Sequence, residues 1–228
     1  MSIAPADDVS KVLGTLAGAS GRLCDRFDER QLRRFVEELL TWNREIPLVS
    51  RRDTPAAVAR LIERSVHLWD FVRDAVARDA EAPRWRVVDI GTGAGFPGLV
   101  WKMLARELDV VLVERRERKV AFLERVIARL SLEGVSAVAA DLSEFARYQR
   151  HEHTFDLAVM MAVTNPEEIA EPVERLLRAP GYFCVVRGRD QETAKEPLGG
   201  RFRELARSES YEGRFLLFTN SAPISGPA

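Results

Sequence analysis

The sequence predicts an α/β protein, a mostly parallel, doubly wound sheet preceded by an N-terminal helical subdomain. Three observations carry this. From residue 85 onward, short apolar runs alternate with segments of helical period. Before residue 80 only the helical period occurs. Between the two, the apolar run Val87–Ile90 passes through Gly91, Gly93, Gly95 and Gly98 into the helix-forming Leu99–Leu104. Strand, glycine turn and helix together open a nucleotide-type site, because bare main chain lets a ligand approach closely. The expected division is a helical subdomain over residues 1–80 and a ligand-binding domain over residues 85–222.

Each element has its own signal. Met1–Asp7 reads as a loose terminus. Val9, Val12, Leu13 and Leu16 recur at helical spacing from about Asp8, and Gly18–Gly21 ends that helix. Asp28 is a candidate N-cap for a second helix, with Leu32, Phe35, Val36, Leu39 and Leu40 on one face to about Asn43. Asp53-Thr54-Pro55 starts a third, expected to run to about Ala80. Residues 81–84 are the joint, where Pro83 stops the helix. Strand 87–91 then leads to a helix over 98–107. Val110–Glu114 is a second strand, followed by a helix over 116–131. Val135–Ala139 is a third strand, with a short helix from Leu142 to Tyr148. Phe155–Met161 is a fourth, and Asn165-Pro166 opens the next helix. Gly181–Arg187 is a fifth. Residues 201–209 and 214–219 suit a final antiparallel pair.

Composition narrows the class. The 228 residues are 46% hydrophobic and 30% charged, as in ordinary globular proteins. No apolar run reaches membrane-spanning length and no signal-peptide core is present, so a cytoplasmic monomer is expected. Cys24 and Cys184 stand far apart and read as reduced thiols. His67, His151 and His153 lack metal-ligand spacing, so no metal is expected. A net charge of −1 gives no global basic footprint for nucleic acid.

Two ligands fit the glycine turn. Gly93-x-Gly95-x-x-Gly98 matches the dinucleotide fingerprint literally. Asp89-x-Gly91-x-Gly93-x-Gly95 instead resembles motif I of class I S-adenosylmethionine (SAM) methyltransferases, a Rossmann-like fold. A tight turn without a ligand is the bland reading. Glu114 closes the second strand, where a carboxylate accepts ribose hydroxyls in either case. The bland alternative is a solvated side chain beside Arg115 and Arg116. Asp141 either meets an adenine, caps the helix that follows, or does both. Phe96 lies against the cofactor or packs under the helix. After strand four come Met160, Met161, Ala162 and Val163, an apolar mouth with no His, Cys or carboxylate. Neither a cysteine placed for covalent cytosine methylation nor an acid-Pro-Pro-aromatic segment for exocyclic amines is found.

Asp89-Ile90-Gly91-Thr92-Gly93-Ala94-Gly95-Phe96-Pro97-Gly98 resembles the signature of the RsmG (GidB) family, and the Phe-Pro-Gly ending is more specific than the general motif. Leu39-Leu40-x-Trp42-Asn43, Leu48-x-Ser50-x-Arg52-Asp53, Glu114-x-x-x-Arg118-Lys119-Val120-x-Phe122-Leu123, Phe155-Asp156 and Gly181-x-Phe183 extend the similarity along most of the chain. The resemblance implies a SAM-dependent methyltransferase of bacterial small-subunit ribosomal RNA, an RNA-modification enzyme acting at guanine N7. It implies cofactor contacts at Gly91 and Phe96 and at the main chain of Leu142 and Ser143. The acceptor side departs from the family. Met160-Met161-Ala162-Val163 stands where Ser-Arg-Ala-Phe is common, so Met161 replaces an arginine. Arg60-Leu61-Ile62-Glu63-Arg64-Ser65 lacks the family's His and Asp, Pro47 replaces an Asn, and Val186-Arg187-Gly188 replaces Leu-Lys-Gly.

The cofactor-binding candidates are therefore Asp89, Gly91, Gly93, Gly95, Phe96, Glu114, Asp141, Leu142 and Ser143. Arg52, Arg60, Met161 and Arg187 are the acceptor-side candidates. No catalytic side chain is identified, and N7 needs none, because its lone pair is free for in-line attack. Arg44, Arg51, Arg52, Arg60, Arg64, Arg187 and Arg189 either face RNA phosphates or are scattered surface charge, since acids are interspersed. The competing expectations are a diverged paralogue with a small-molecule acceptor, a silent SAM- or RNA-binding module and, more distantly, an NAD oxidoreductase.

Overall fold

The computed structural model describes residues 6–18, 23–50, 52, 54–76, 84–161, 168–187, 198–209 and 214–220. Three helices come first: α1 (Ala6–Gly18), α2 (Glu29–Trp42) and α3 (Thr54–Val76). The Asp28 side chain accepts from the Gln31 amide at 2.8 Å, the cap expected of it, and the predicted stripe from Leu32 to Leu40 is buried. The ends predicted at Gly18–Gly21 and Ala80, and the joint up to Pro83, fall on or run into residues outside those described.

Seven strands follow: β1 (Arg86–Ile90), β2 (Asp109–Glu114), β3 (Val135–Ala139), β4 (Phe155–Met161), β5 (Leu177–Arg187), β6 (Arg203–Ser208) and β7 (Arg214–Thr219). Their order is β3-β2-β1-β4-β5-β7-β6. β1 to β5 run parallel, and β7 pairs antiparallel with both β5 and β6. Helices α4 (Gly98–Leu104), α5 (Glu117–Arg129), α6 (Leu142–Arg147) and α7 (Ala170–Leu176) connect the parallel strands. With helices on both faces, central strands are apolar on both sides. Val87, Leu157, Val159 and Val110 face the core shared with α1–α5; Val88, Ala158 and Val111 face the one shared with α6 and α7.

Three expected bounds shift by more than two residues. The helix predicted over 98–107 ends at Leu104, where Ala105 turns extended (φ −135°) and Lys102 Nζ reaches forward to hold the carbonyls of Arg106 and Leu108, both at 2.5 Å. The fifth strand begins at Leu177 rather than Gly181: it leaves α7 directly, pairs Phe155 with Leu177, then shifts register so that Leu157 meets Tyr182. The helix predicted from Asn165 is seen from Ala170, with 162–167 outside the described residues.

Helices and sheet interlock through aromatic side chains. Phe35 of α2 meets Phe96 edge-on at 5.7 Å, and Trp42 meets Phe122 of α5 at 5.9 Å. Trp69 of α3 packs on Trp101 of α4 at 5.3 Å, and Trp101 Nε1 donates to the Ser65 carbonyl at 2.8 Å. Among the described residues, no helix is long and apolar enough to cross a membrane.

Candidate cofactor site

A cavity of about 360 Å³ opens at the carboxyl ends of the strands, within the range that holds a small cofactor. Doubly wound sheets bind ligands there, beside the point where strand order reverses. Here the chain runs outward from β1 to β2 and β3, then returns to β4 on the other side of β1. Ile90 and Gly91 border the cavity from β1. Val113, Glu114, Arg115, Arg116 and Lys119 border it from β2 and the start of α5; Ala140, Asp141 and Leu142 from the end of β3; Met160 from β4.

The turn is shaped from beneath. Asp89 is fully buried, and its Oδ2 accepts from Thr92 Oγ1 at 2.6 Å and from the Gly98 amide at 2.8 Å. One carboxylate oxygen thus closes the glycine loop on the first turn of α4. A Cβ at Gly98 would collide with the Asp89 and Leu112 side chains, so the close approach requires glycine. Burial raises the Asp89 pKa to about 7, against the lowering effect of the Thr92 and Gly98 hydrogen bonds. Oδ1 has no partner among the described residues.

Above this support, Gly91 holds φ +68°, with open space where a side chain would stand. A ligand can therefore lie directly on its main chain. Glu114 is 7% exposed, and its Oε1 accepts from the Arg116 amide at 2.9 Å, which orients the carboxylate at the cavity edge. Asp141 accepts from the Glu144 amide at 2.8 Å, so it caps α6 while bordering the cavity. Together, a carboxylate set for a diol, a polar edge beyond β3 and bare main chain over β1 fit an adenosyl group with an amino-acid tail.

Of the predicted cofactor residues, Gly91, Glu114, Asp141 and Leu142 line the cavity; Asp89, Gly93, Gly95, Phe96 and Ser143 do not. Gly93 and Gly95 belong to the turn, with φ +59° and +87°. The Phe96 ring packs on Phe35 of α2 in the core. Ser143 is exposed on the first turn of α6.

The four acceptor-side candidates also lie off the cavity wall. Arg52 and Arg60 are exposed, Arg187 is buried at the end of β5, and Met161 packs into the α1–α5 core. Strand alternation explains the last: Met160 faces the cavity, so its neighbour faces the opposite side. Arg51 and Arg189 lie outside the described residues. Spacing alone gave no role to Arg115, Arg116 or Lys119; the signal was a basic run directly after the acid that closes β2. Among the described residues, no three His, Cys, Asp or Glu side chains gather in a way that would hold a metal.

A family model described as GidB, rRNA small subunit methyltransferase G, matches residues 28–203. The ribosomal RNA small subunit methyltransferase G of Roseiflexus sp. (strain RS-1) is 36% identical over 186 residues, covering 77% of this chain and 76% of that protein. The protein of the same name from Symbiobacterium thermophilum is 32% identical, covering 75% and 72%. Among solved structures, a SAM-dependent methyltransferase from Aquifex aeolicus aligns with a TM-score of 0.53 at 18% identity, over 70% of this chain and 90% of that one. A mutant of MtNAS in complex with S-adenosylmethionine aligns with a TM-score of 0.58 at 14% identity, over 95% and 98%.

Proposed function

The chain belongs to the GidB family of small-subunit rRNA methyltransferases, and on that premise we propose that it methylates a guanine of bacterial small-subunit ribosomal RNA at N7, using SAM. The observation that carries this reading is the reach of the family match. It runs from the cap of α2 to the start of β6, taking in helices, glycine turn and cavity together.

Each part has a role in that chemistry. Glu114 accepts from the ribose hydroxyls, and Asp141 with the Leu142 main chain meets the adenine edge. Gly91 presents bare main chain to the methionyl part, and Asp89 holds the turn in shape. Gly93 and Gly95 give the turn its path, Phe96 anchors it to α2, and Ser143 adds a main-chain amide. SAM, when bound, supplies a sulfonium methyl open to direct attack. Guanine N7 attacks through its lone pair, so no side chain has to remove a proton. Positioning N7 in line with the methyl is the main catalytic task.

Met160 lies on the β4 side of the cavity, beside the incoming base, with Met161 behind it. Exposed Arg52, Arg60, Arg115 and Arg116 offer phosphate contacts to the RNA or the 30S particle, and Arg187 stiffens the strand end beneath. In this reading residues 1–80 form the RNA-facing helical subdomain and residues 85–222 the methyltransferase domain, acting as a cytoplasmic monomer.

The test is transfer of tritiated methyl from SAM to 30S particles of a strain lacking the N7 modification. Label at guanine N7, absent with Gly93→Asp, supports the reading. Binding of SAM without label in particle or free RNA removes it, and a small-molecule acceptor then becomes the better account of the apolar mouth.

A further inference from the structure

We propose that Lys119 holds the carboxylate of the cofactor's methionyl end, an inference that rests on the SAM reading above. The sheet order gives the direction. With the ribose at Glu114 on β2 and the adenine toward Asp141 beyond β3, the other end of the ribose points across β1 toward β4. That path passes over Gly91 before reaching Met160. A methionyl chain laid along it carries an α-carboxylate, and a carboxylate entering a partly enclosed cavity needs a cation or several donors.

Lys119 is placed to be that cation. It stands in the first turn of α5, where its amide donates to the Arg116 carbonyl at 2.8 Å, and it borders the cavity. Its Nζ lies beside the glycine turn, 3.7 Å from the position a Gly93 Cβ would take. The ammonium thus sits at contact distance from the turn. No hydrogen bond or ion pair among the described residues engages that ammonium, so its donors are available. Burial separates Lys119 from the other cations of the run: Arg115, Arg116 and Arg118 are exposed, whereas Lys119 is half-buried against the turn. The arginines suit a large polyanion outside the cavity, and the lysine suits a small anion within it.

The test compares two nucleosides that differ only in this part. S-adenosylhomocysteine keeps the carboxylate; 5′-methylthioadenosine lacks the whole amino-acid end. Calorimetric titration of the 228-residue chain and of its Lys119→Met variant is expected to show S-adenosylhomocysteine weakened about 10- to 100-fold by the substitution and methylthioadenosine changed by less than about twofold. Lys119→Arg is expected to recover part of the loss. Equal weakening of both compounds, or of neither, overturns the proposal. Unchanged S-adenosylhomocysteine affinity with weaker RNA binding at low salt also overturns it and assigns the ammonium to RNA phosphate. If the unmodified protein binds neither nucleoside, the cofactor reading itself fails, which is a different result from a failure of the lysine.

Discussion

Asp89 is a carboxyl group with two unequal oxygens. Oδ2 is held by Thr92 and Gly98, while Oδ1 is buried without a partner. A proton on Oδ1 removes the cost of a buried charge there and leaves both hydrogen bonds in place, consistent with a pKa raised to about 7. The folded state therefore keeps a proton that the unfolded chain releases near pH 4. From about pH 4 to pH 7 the folded state binds more protons, so this group's share of stability falls as pH rises and levels off above 7. Asp89→Asn keeps an oxygen for Thr92 and Gly98 and never ionises. Thermal melts from pH 5 to 8 are expected to show a flatter pH dependence for Asp89→Asn than for the parent; an equal slope would show that Asp89 is ionised throughout. Glu114 is the counterpart that lines the cavity, oriented by the Arg116 amide. Glu114→Gln is expected to weaken S-adenosylhomocysteine about tenfold in calorimetry, the cost of trading a charged acceptor for a neutral amide.

Among the elements, α4 shows how one side chain holds a boundary. Lys102 is 5% exposed, and its ammonium joins the carbonyls of Arg106 and Leu108, tying the helix end to the entry of β2. Gly134 leaves room for it, since a Cβ there would stand 3.3 Å from Nζ. Lys102→Met strands both carbonyls and is expected to cost about 2 kcal/mol in urea unfolding, without changing nucleoside affinity. A loss below about 0.5 kcal/mol would show that water replaces the ammonium. This clip also marks what the sequence could reveal. The stripe of α2 and the runs of β1 to β4 were legible because periodicity follows from burial on one face or two. The glycine turn was legible because few residue types permit it. The end of α4, the bulged entry to β5 and the reach of Lys119 depend on partners distant in space. Met161 lies off the cavity wall for a different reason: a fully apolar strand end carries no alternation to show which of two methionines faces the cavity.

At the scale of the molecule, helices α1 to α3 and the sheet share one core. Buried residues from Val9 and Leu39 through Val66 to Val87, Leu112 and Leu217 form a continuous cluster. All four tryptophans stand at or beside this junction: Trp42 on Phe122, Trp69 on Trp101 and Trp85, and Trp85 on Tyr182. Neither layer can separate without exposing large aromatic surfaces, so both should unfold together. Tryptophan fluorescence and far-ultraviolet circular dichroism are therefore expected to give one common midpoint in guanidinium. Trp69→Ala, which removes a 2% exposed ring from the junction, is expected to lower stability by about 3–5 kcal/mol and move both signals together. Saturating S-adenosylhomocysteine should raise both midpoints equally, because a ligand that binds only the folded chain stabilises the whole cooperative unit. Two separate transitions, with the ligand shifting only one, would mean that the helices fold independently of the cofactor site. Any RNA contact made by the helices would then be free to move relative to the cavity, and in-line placement of the guanine proposed above would depend on the RNA rather than on the protein's shared core.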